Sequence, residues 1–215
     1  MNTFFSARQA MPSKLSPRPD QPAYFDAIFA DSDDPWKFQS RWYERRKRAL
    51  SLACLPSDRY AHGFEPGCAN GELSAQLAAR CDHLLVSDGV DKAVALSRER
   101  LKAHRNVEVR KAWVPRDWPL EKFDLIVLSE FLFYLKPDAV KEIAKKVRET
   151  LLPGGVVLAC HWRHPIDHCV ITGDEAHFAL EGLLDLPNQC HIVERDLLLD
   201  VWFAGPSVAE KEGLS

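Results

Sequence analysis

A glycine-bearing turn at residues 64–71, Phe-Glu-Pro-Gly-Cys-Ala-Asn-Gly, constrains the fold more than any other part of this sequence. The apolar residues 61–64 before it predict a short buried strand, and residues 72–80 after it carry apolar side chains at helical spacing. A strand, a tight glycine turn and a helix in this order form the first unit of a nucleotide-binding α/β fold. Ligands of such folds bind at the carboxyl ends of the strands.

A second apolar run, residues 83–87, predicts the next strand, which ends in Asp88. A carboxylate at that place can accept hydrogen bonds from both hydroxyls of a ribose. The dinucleotide pattern G-x-G-x-x-G would need glycines at 69 and 72, where Ala69 and Glu72 stand instead. Glu65, two residues before Gly67, would suit a ligand ammonium. The turn therefore favours S-adenosylmethionine (SAM), a nucleoside with an amino-acid tail, over NAD.

Further motifs accompany the glycine turn. They are Asp34-Pro35-Trp36, Trp42-Tyr43-Glu44, the run from Phe123 to Glu130, Tyr134-Leu135, Pro153-Gly154-Gly155 and His161-Trp162-Arg163. With these motifs, the chain from about Tyr24 to Gly205 resembles class I SAM-dependent methyltransferases, and more closely the nodulation-protein-S family. The resemblance implies a Rossmann-like fold: a seven-stranded, mostly parallel sheet with one antiparallel strand and helices on both faces.

Local patterns predict elements that agree with this fold. The predicted helices cover Tyr24–Phe29, Trp36 to about Ala53, Asp91 to about Ala103, and Pro137 to about Leu151, where Pro153-Gly154-Gly155 marks a break. The further predicted strands cover 107–111, 123–128, 156–160, 189–195 and 197–204, the last two as a hairpin. We predict one domain over residues 23–205 with an N-terminal helical lid, a disordered leader at 1–22 and a frayed tail at 206–215.

The composition disfavours several classes of protein. A formal net charge of −3 leaves no basic footprint for nucleic acid or an anionic membrane, and no N/D-P-P-Y/F motif follows the strand at 123–128. Six scattered cysteines without a C-x-x-C pair indicate reduced thiols. No apolar run reaches signal-peptide or transmembrane length. We expect a cytoplasmic protein, a monomer or weak dimer, that acts on a small molecule.

The glycine turn and the resemblance together define an expected cofactor site. In the family, residues after the third strand line the adenine; Ala112 and Trp113 stand there, although many relatives of the wider class carry an acidic residue. The N-terminal helix would lie over the cleft, with the alternative that its tryptophans only pack on the core. The expected cofactor contacts are Glu65, Gly67, Cys68, Ala69, Gly71, Asp88, Gly89, Ala112, Trp113 and Ser129, with Trp42 and Lys47 from the lid.

Three side chains are candidates for the chemistry. Glu130 and His161 follow neighbouring strands, where a general base or a substrate-binding group would stand. The alternatives are that His161 tethers a loop and that Glu130 contacts the cofactor. Tyr134 could bind substrate, with packing as its alternative. A metal site among His161, His164, His168 and His177 is disfavoured, because Pro165 breaks any helix that would align them.

The function predicted from these residues and the resemblance is methyl transfer from SAM to a small acceptor. The nodulation-protein-S resemblance implies N-methylation of an amino sugar, such as the free amine of a deacetylated chitooligosaccharide. Two alternatives stay open at this point: a methyltransferase for another oxygen or nitrogen nucleophile, and a SAM-binding module without turnover.

Overall fold

The computed structural model describes residues 22–167 and 169–214, so the predicted leader lies outside the described residues except for Pro22. Seven strands form one sheet in the order β3-β2-β1-β4-β5-β7-β6. Strand β7 runs antiparallel to both of its neighbours, and the other pairs are parallel. The strands are β1 (Tyr60–Pro66), β2 (Cys81–Asp88), β3 (Val107–Lys111), β4 (Phe123–Ser129), β5 (Leu151–Trp162), β6 (Asn188–Val193) and β7 (Leu197–Trp202). The predicted sheet, with one antiparallel strand, is confirmed.

Helices cover both faces of this sheet. They are α1 (Pro22–Ala30), α2 (Trp42–Ala53), α3 (Glu72–Leu77), α4 (Asp91–Leu101), α5 (Pro137–Thr150), α6 (Gly173–Leu183) and α7 (Val208–Lys211), with 3₁₀ turns at Ala78–Arg80 and Leu132–Tyr134. Leu125 and Val127 of β4 belong to a core with α3 and α4, whereas Ile126 and Leu128 belong to a core with α5 and α6. Alternate residues of a strand point to opposite faces, so one apolar strand supplies both cores. None of the helices in the described ranges is long and apolar enough to cross a membrane.

Several predicted boundaries were wrong. The N-terminal helix begins at Trp42, not Trp36, because Lys37 has a φ of 59° and the Asp34 carboxylate accepts hydrogen bonds from Phe38 N and Gln39 N. The predicted break at 153–155 lies within β5, where Gly154 takes a φ of 74°. Residues expected to fray form α7, and its Lys211 donates a hydrogen bond to Pro56 O at 3.2 Å.

Two helices near the cleft differ from the prediction. Helix α6 was not predicted; its N-terminus carries a capping box between Thr172 and Glu175, and it packs on β5 and β7. Helix α1, rather than α2, covers the glycine turn region, because Phe29 packs with Val90 and Ala93 at the start of α4. Trp36, in the turn after α1, and Ala69 of the glycine turn pack against the same cluster.

Candidate active site

The glycine turn joins β1 to α3 in the conformation that its residues predict. Gly67 and Gly71 have φ values of 73° and 79°, and Ala69, between them, has a φ of 49°. The backbone N–H groups of Gly67 and Cys68 donate to Ser87 O at 2.7 and 3.0 Å, which ties the turn to β2. Left-handed backbone at three nearby positions explains why two of them are glycine. The Cys68 side chain is buried in the core, so only its backbone faces the turn.

Asp88 fixes the same turn from the end of β2. Its Oδ2 accepts a hydrogen bond from Ala69 N at 3.0 Å, and its Oδ1 accepts one from Val90 N at 3.0 Å. Burial raises the pKa of Asp88 to about 6, against the lowering effect of these backbone donors. A carboxylate has about four acceptor positions, so Asp88 keeps capacity for further donors such as ribose hydroxyls.

Glu65 supplies an unsatisfied acceptor beside the turn. The side chain is buried, and its Oε2 has no hydrogen-bond partner among the described residues. Burial, with a smaller effect of the Asp88 charge, raises the pKa of Glu65 to about 8, against the lowering effect of the neighbouring Ser74 hydroxyl. A buried acceptor without a donor costs about 1–3 kcal/mol, so Glu65 is suited to receive a charged donor from a ligand.

Trp113 closes the far side of this region. A Cβ built on Gly89 would lie 2.0 Å from Cε3 of Trp113, so only glycine leaves room for the ring. The neighbouring Ala112 donates its N–H to Asp88 O at 2.9 Å. Trp113 also meets Phe25 of α1 edge-on, with ring centroids 6.1 Å apart. The structure thus brings Gly89, Ala112 and Trp113 next to Asp88; that they line an adenine stays a prediction.

Lys47 and Trp42 do not take the positions expected for lid residues that contact a cofactor. Lys47 Nζ lies 2.8 Å from Glu44 Oε2 and 3.2 Å from Glu130 Oε1. Burial lowers the pKa of Lys47, but Glu130 and Glu44 outweigh it and hold that pKa above its ordinary value. Trp42 is 68% exposed, under the guanidinium of Arg45. Lys47 is therefore a buried partner of two carboxylates, and Trp42 lies on the outer surface.

Glu130 stands at the end of β4 in a strained conformation. Its φ is 60°, which is uncommon for a residue other than glycine, and its N–H donates to Cys160 O at 3.0 Å. Burial raises the pKa of Glu130, and the Lys47 ammonium opposes that shift. The Glu130 side chain keeps 21% exposure, whereas that of Lys47 has 6%. Ser129, just before it, pairs with Cys160 of β5.

His161 does not face the cleft, so the expectation of a direct catalytic contact is corrected. Its side chain is fully buried and its Nε2 accepts a hydrogen bond from Leu132 N at 3.3 Å. Burial, with smaller effects of His177 and Lys47, holds the pKa of His161 well below its ordinary value. The alternative of a loop tether describes what this neutral imidazole does.

Tyr134 lies beneath α1. Its ring meets the rings of Phe25 and Tyr24, with centroids 4.9 and 6.1 Å away. The observed contacts agree with the packing alternative and place Tyr134 at the border between the 3₁₀ turn and the lid.

Two other histidines of the disfavoured metal set, His164 and His177, contact aspartates. His164 Nε2 lies 2.6 Å from Asp196 Oδ1, and His177 contacts both His161 and Asp200. No group of three or more His, Cys, Asp or Glu side chains suited to a metal was found within the described ranges. His168 lies outside those ranges.

Sequence reasoning missed three residues of this region. Glu44 binds Lys47, although the Trp42-Tyr43-Glu44 motif had pointed to its neighbourhood. Asn70 donates from Nδ2 to Asp34 Oδ1 at 3.1 Å, while its Oδ1 is a buried acceptor without a partner in the described part of the chain. Asp200 on β7 had no sequence signal, because it reaches the site only through His177.

Known proteins are similar to this chain in sequence. The family model described as nodulation protein S matches residues 28–167. Nodulation protein S of Rhizobium tropici is 34% identical over 130 residues, which cover 58% of this chain and 53% of that protein. Nodulation protein S of Sinorhizobium fredii strain NGR234 is 30% identical over 126 residues, which cover 58% of each. The chain thus spans little more than half the length of these relatives.

Solved structures agree with the fold. A protein from Pseudomonas syringae, solved as a candidate methyltransferase, is 44% identical with a TM-score of 0.69, covering 76% of this chain and 100% of its own. The N-methyltransferase NodS of Bradyrhizobium japonicum WM9, solved with S-adenosylhomocysteine (SAH), is 23% identical with a TM-score of 0.75, covering 85% and 98%. The sheet order, the glycine turn and the family match together show that this chain belongs to the nodulation protein S (NodS) family.

Proposed function

We propose that this chain is a SAM-dependent N-methyltransferase for a small acceptor, with an amino sugar of the deacetylated chitooligosaccharide type as the preferred class. The observation that carries the proposal is the unpartnered Oε2 of buried Glu65 beside the glycine turn. The α-ammonium of SAM is a donor of the right charge for that oxygen. Asp88, at the end of the neighbouring strand β2, supplies a second carboxylate at the same edge of the sheet.

The residues present fit SAM. When bound, SAM supplies a methyl group on a positively charged sulfur, which is already an activated leaving group. Glu65 would hold the ammonium, and Asp88 would accept from the ribose hydroxyls. Gly67 supplies left-handed backbone to the turn, with a φ of 73° that a residue with a Cβ rarely adopts. Trp113 offers an aromatic face for the base.

Glu130 is the residue we assign to the acceptor. It follows β4, its side chain is more exposed than its buried partner Lys47, and its backbone is strained. Its carboxylate would accept a hydrogen bond from the acceptor amine and orient the nitrogen, and it could take the proton that the amine loses. Lys47 holds this carboxylate in place and favours its charged form.

Aromatic side chains around the end of β5 support a sugar acceptor. Trp162 meets Tyr43 of α2 edge-on with centroids 5.6 Å apart, and it meets His164 at 4.8 Å. Aromatic faces pack against the C–H groups of sugars, and Glu130 lies one strand away. The N-methyltransferase named among the structural relatives supports nitrogen as the attacked atom.

The test is formation of SAH with a chitooligosaccharide that carries one free amine, with the fully acetylated oligomer as the matched control. We expect turnover only with the free amine, and a mass increase of one CH2 unit on that sugar residue, because a methyl group replaces an amine hydrogen. Methylation of other nucleophiles but not of the amine would contradict the acceptor class. Cofactor binding without turnover on any acceptor would favour the binding-module alternative.

A further inference from the structure

A buried chain of hydrogen bonds leads from the loop after β4 to strand β7. Leu132 N donates to Nε2 of His161 at 3.3 Å. Nδ1 of His161 lies 2.9 Å from Nε2 of His177, and Nδ1 of His177 lies 2.5 Å from Oδ2 of Asp200. All three side chains are buried, so water does not replace these hydrogen bonds.

The donors and acceptors of this chain follow from its ends. Leu132 N–H can only donate, so Nε2 of His161 is unprotonated and its single proton is on Nδ1. That proton is donated to Nε2 of His177, whose own proton is therefore on Nδ1 and is donated to Asp200. One backbone donor and one carboxylate thus fix both imidazole tautomers.

The loop whose Leu132 begins this series of hydrogen bonds carries candidate active-site residues. Glu130 is its first residue, and Phe131 packs against the glycine turn, since a Cβ on Gly67 would lie 3.4 Å from its ring. Tyr134 at its end meets Phe25 of the lid. Leu132 lies in the middle of this loop, and its hydrogen bond to His161 anchors the whole loop. The anchored loop contains Glu130 and contacts both the glycine turn and α1.

We propose that His177 and Asp200 are positioning residues: acting through His161, they hold loop 130–134, and with it Glu130, in the geometry that methyl transfer needs. The inference rests on the proposed function. Ala176 and Leu180 already pack α6 onto the sheet. Apolar side chains would serve that packing without the cost of burying polar groups. The buried hydrogen bonds are therefore better explained by the orientation that they impose on His161 and on the loop.

Two substitutions at His161 separate orientation from packing. Glutamine places its carbonyl near the position of Nε2 and can still accept from Leu132 N–H, whereas asparagine reaches only the position of Nδ1. We expect His161→Gln to keep kcat within about threefold of wild type, and His161→Asn to lower kcat by up to about 100-fold. The Kd for SAH should stay within about threefold in both. Equal kcat in the two variants would overturn the inference.

A substitution at Asp200, the residue farthest from the loop, tests whether the series of hydrogen bonds transmits its effect on the loop geometry. In Asp200→Asn, the amide can donate to Nδ1 of His177, which would reverse both tautomers and set a proton against Leu132 N–H. We expect kcat to fall about tenfold or more. The control is His191→Ala, because His191 contacts the other oxygen of Asp200 at 2.6 Å and its side chain is 58% exposed. Loss of activity in the control alone, or in neither variant, would overturn the inference.

A measurement without turnover separates this inference from the proposed function. Long-range ¹H–¹⁵N spectra of the imidazoles should show Nδ1–H tautomers at His161 and His177, and an Nε2–H form at either would overturn the inference. Exchange of the Leu132 amide should be about fivefold faster in Asp200→Asn and His161→Asn than in wild type. If these results hold while the wild type methylates no acceptor, the proposed function fails and the anchoring of the loop by Asp200 is supported.

Discussion

At the scale of single residues, Glu65 gives the most direct report of ligand binding. Burial raises its pKa to about 8, so at pH 7 most of the free protein carries a protonated Glu65. The α-ammonium of SAH is charged at pH 7 and favours the carboxylate form of Glu65. Binding of SAH should therefore release a proton from Glu65.

The measurement is calorimetric titration with SAH at pH 7 in buffers of different ionisation enthalpy. We expect release of about half a proton or more per site, and less in Glu65→Gln, which has no titrating group. Wild-type binding that releases no protons would contradict the assignment of the ammonium to Glu65.

Asp88 has one observed and one proposed role at this scale: its carboxylate accepts from Ala69 N and Val90 N, and we propose that it also accepts from the ribose. We expect Asp88→Ala to weaken SAH binding about 100-fold and to lower the free energy of unfolding by about 1–3 kcal/mol. Asp82→Ala, at the other end of β2, is the control for loss of a carboxylate from the same strand. Titration calorimetry and urea denaturation measure the two effects, and unchanged affinity in Asp88→Ala would refute its role.

The residues of the glycine turn were predictable because each lies in one continuous segment. The acceptors Glu65 and Asp88 stand directly at strand ends, and local spacing placed both. The surroundings of His161 were not predictable, because its partners are Leu132 and His177, which only the folded chain brings together. For the same reason, Lys47 was expected at the cofactor and instead pairs with Glu130.

At the scale of elements, α6 gives a matched pair of glycines. A Cβ on Gly173 would lie 2.3 Å from Trp162 O, whereas a Cβ on Gly182 would meet nothing within 4 Å. We expect Gly173→Ala to lower the free energy of unfolding by about 1–3 kcal/mol, because the backbone must shift. Gly182→Ala should raise it by up to about 1 kcal/mol through helix propensity. Urea denaturation measures both, and equal effects would contradict the observed docking of α6 on β5.

Helix α6 did carry a local signal that the sequence reading left unused. Thr172 and Glu175 form a T-x-x-E capping box, and Ala176 and Leu180 follow at helical spacing. The histidines of this region had instead suggested possible metal ligands. The opposite error occurred at Trp36, where Asp34 looked like a helix start but caps a turn that ends before α2.

At the scale of the whole molecule, the buried neutral imidazole links stability to pH. The pKa of His161 is held well below 6.5 in the folded protein, so below pH 6.5 the unfolded chain binds a proton that the folded chain does not. The stability that wild type owes to neutral His161 is therefore lost as pH falls, by about 1.4 kcal/mol per pH unit.

The difference in unfolding free energy between wild type and His161→Gln isolates this effect, since groups such as Glu65 and Asp88 titrate in both proteins and cancel. Denaturant unfolding from pH 5 to 8 should show the difference falling as pH drops below about 6. A difference that stays flat over that range would contradict a neutral, buried His161.

The overall architecture followed from the order of elements, because alternating strands and helices with a terminal hairpin leave few topologies. The confirmed features are the seven strands and the single antiparallel strand. The composition of the lid was not predictable, since the contact of α1 with Trp113 joins residues far apart in sequence.

The measurement that tests the central claim most directly is calorimetric titration of the full chain with SAM, SAH and NAD. The account predicts micromolar binding of SAM and SAH, and none of NAD, because Glu65 suits an ammonium and the glycine turn lacks the spacing for a pyrophosphate. Binding of NAD in their place, or of none of the three, would contradict a SAM-dependent function for this site.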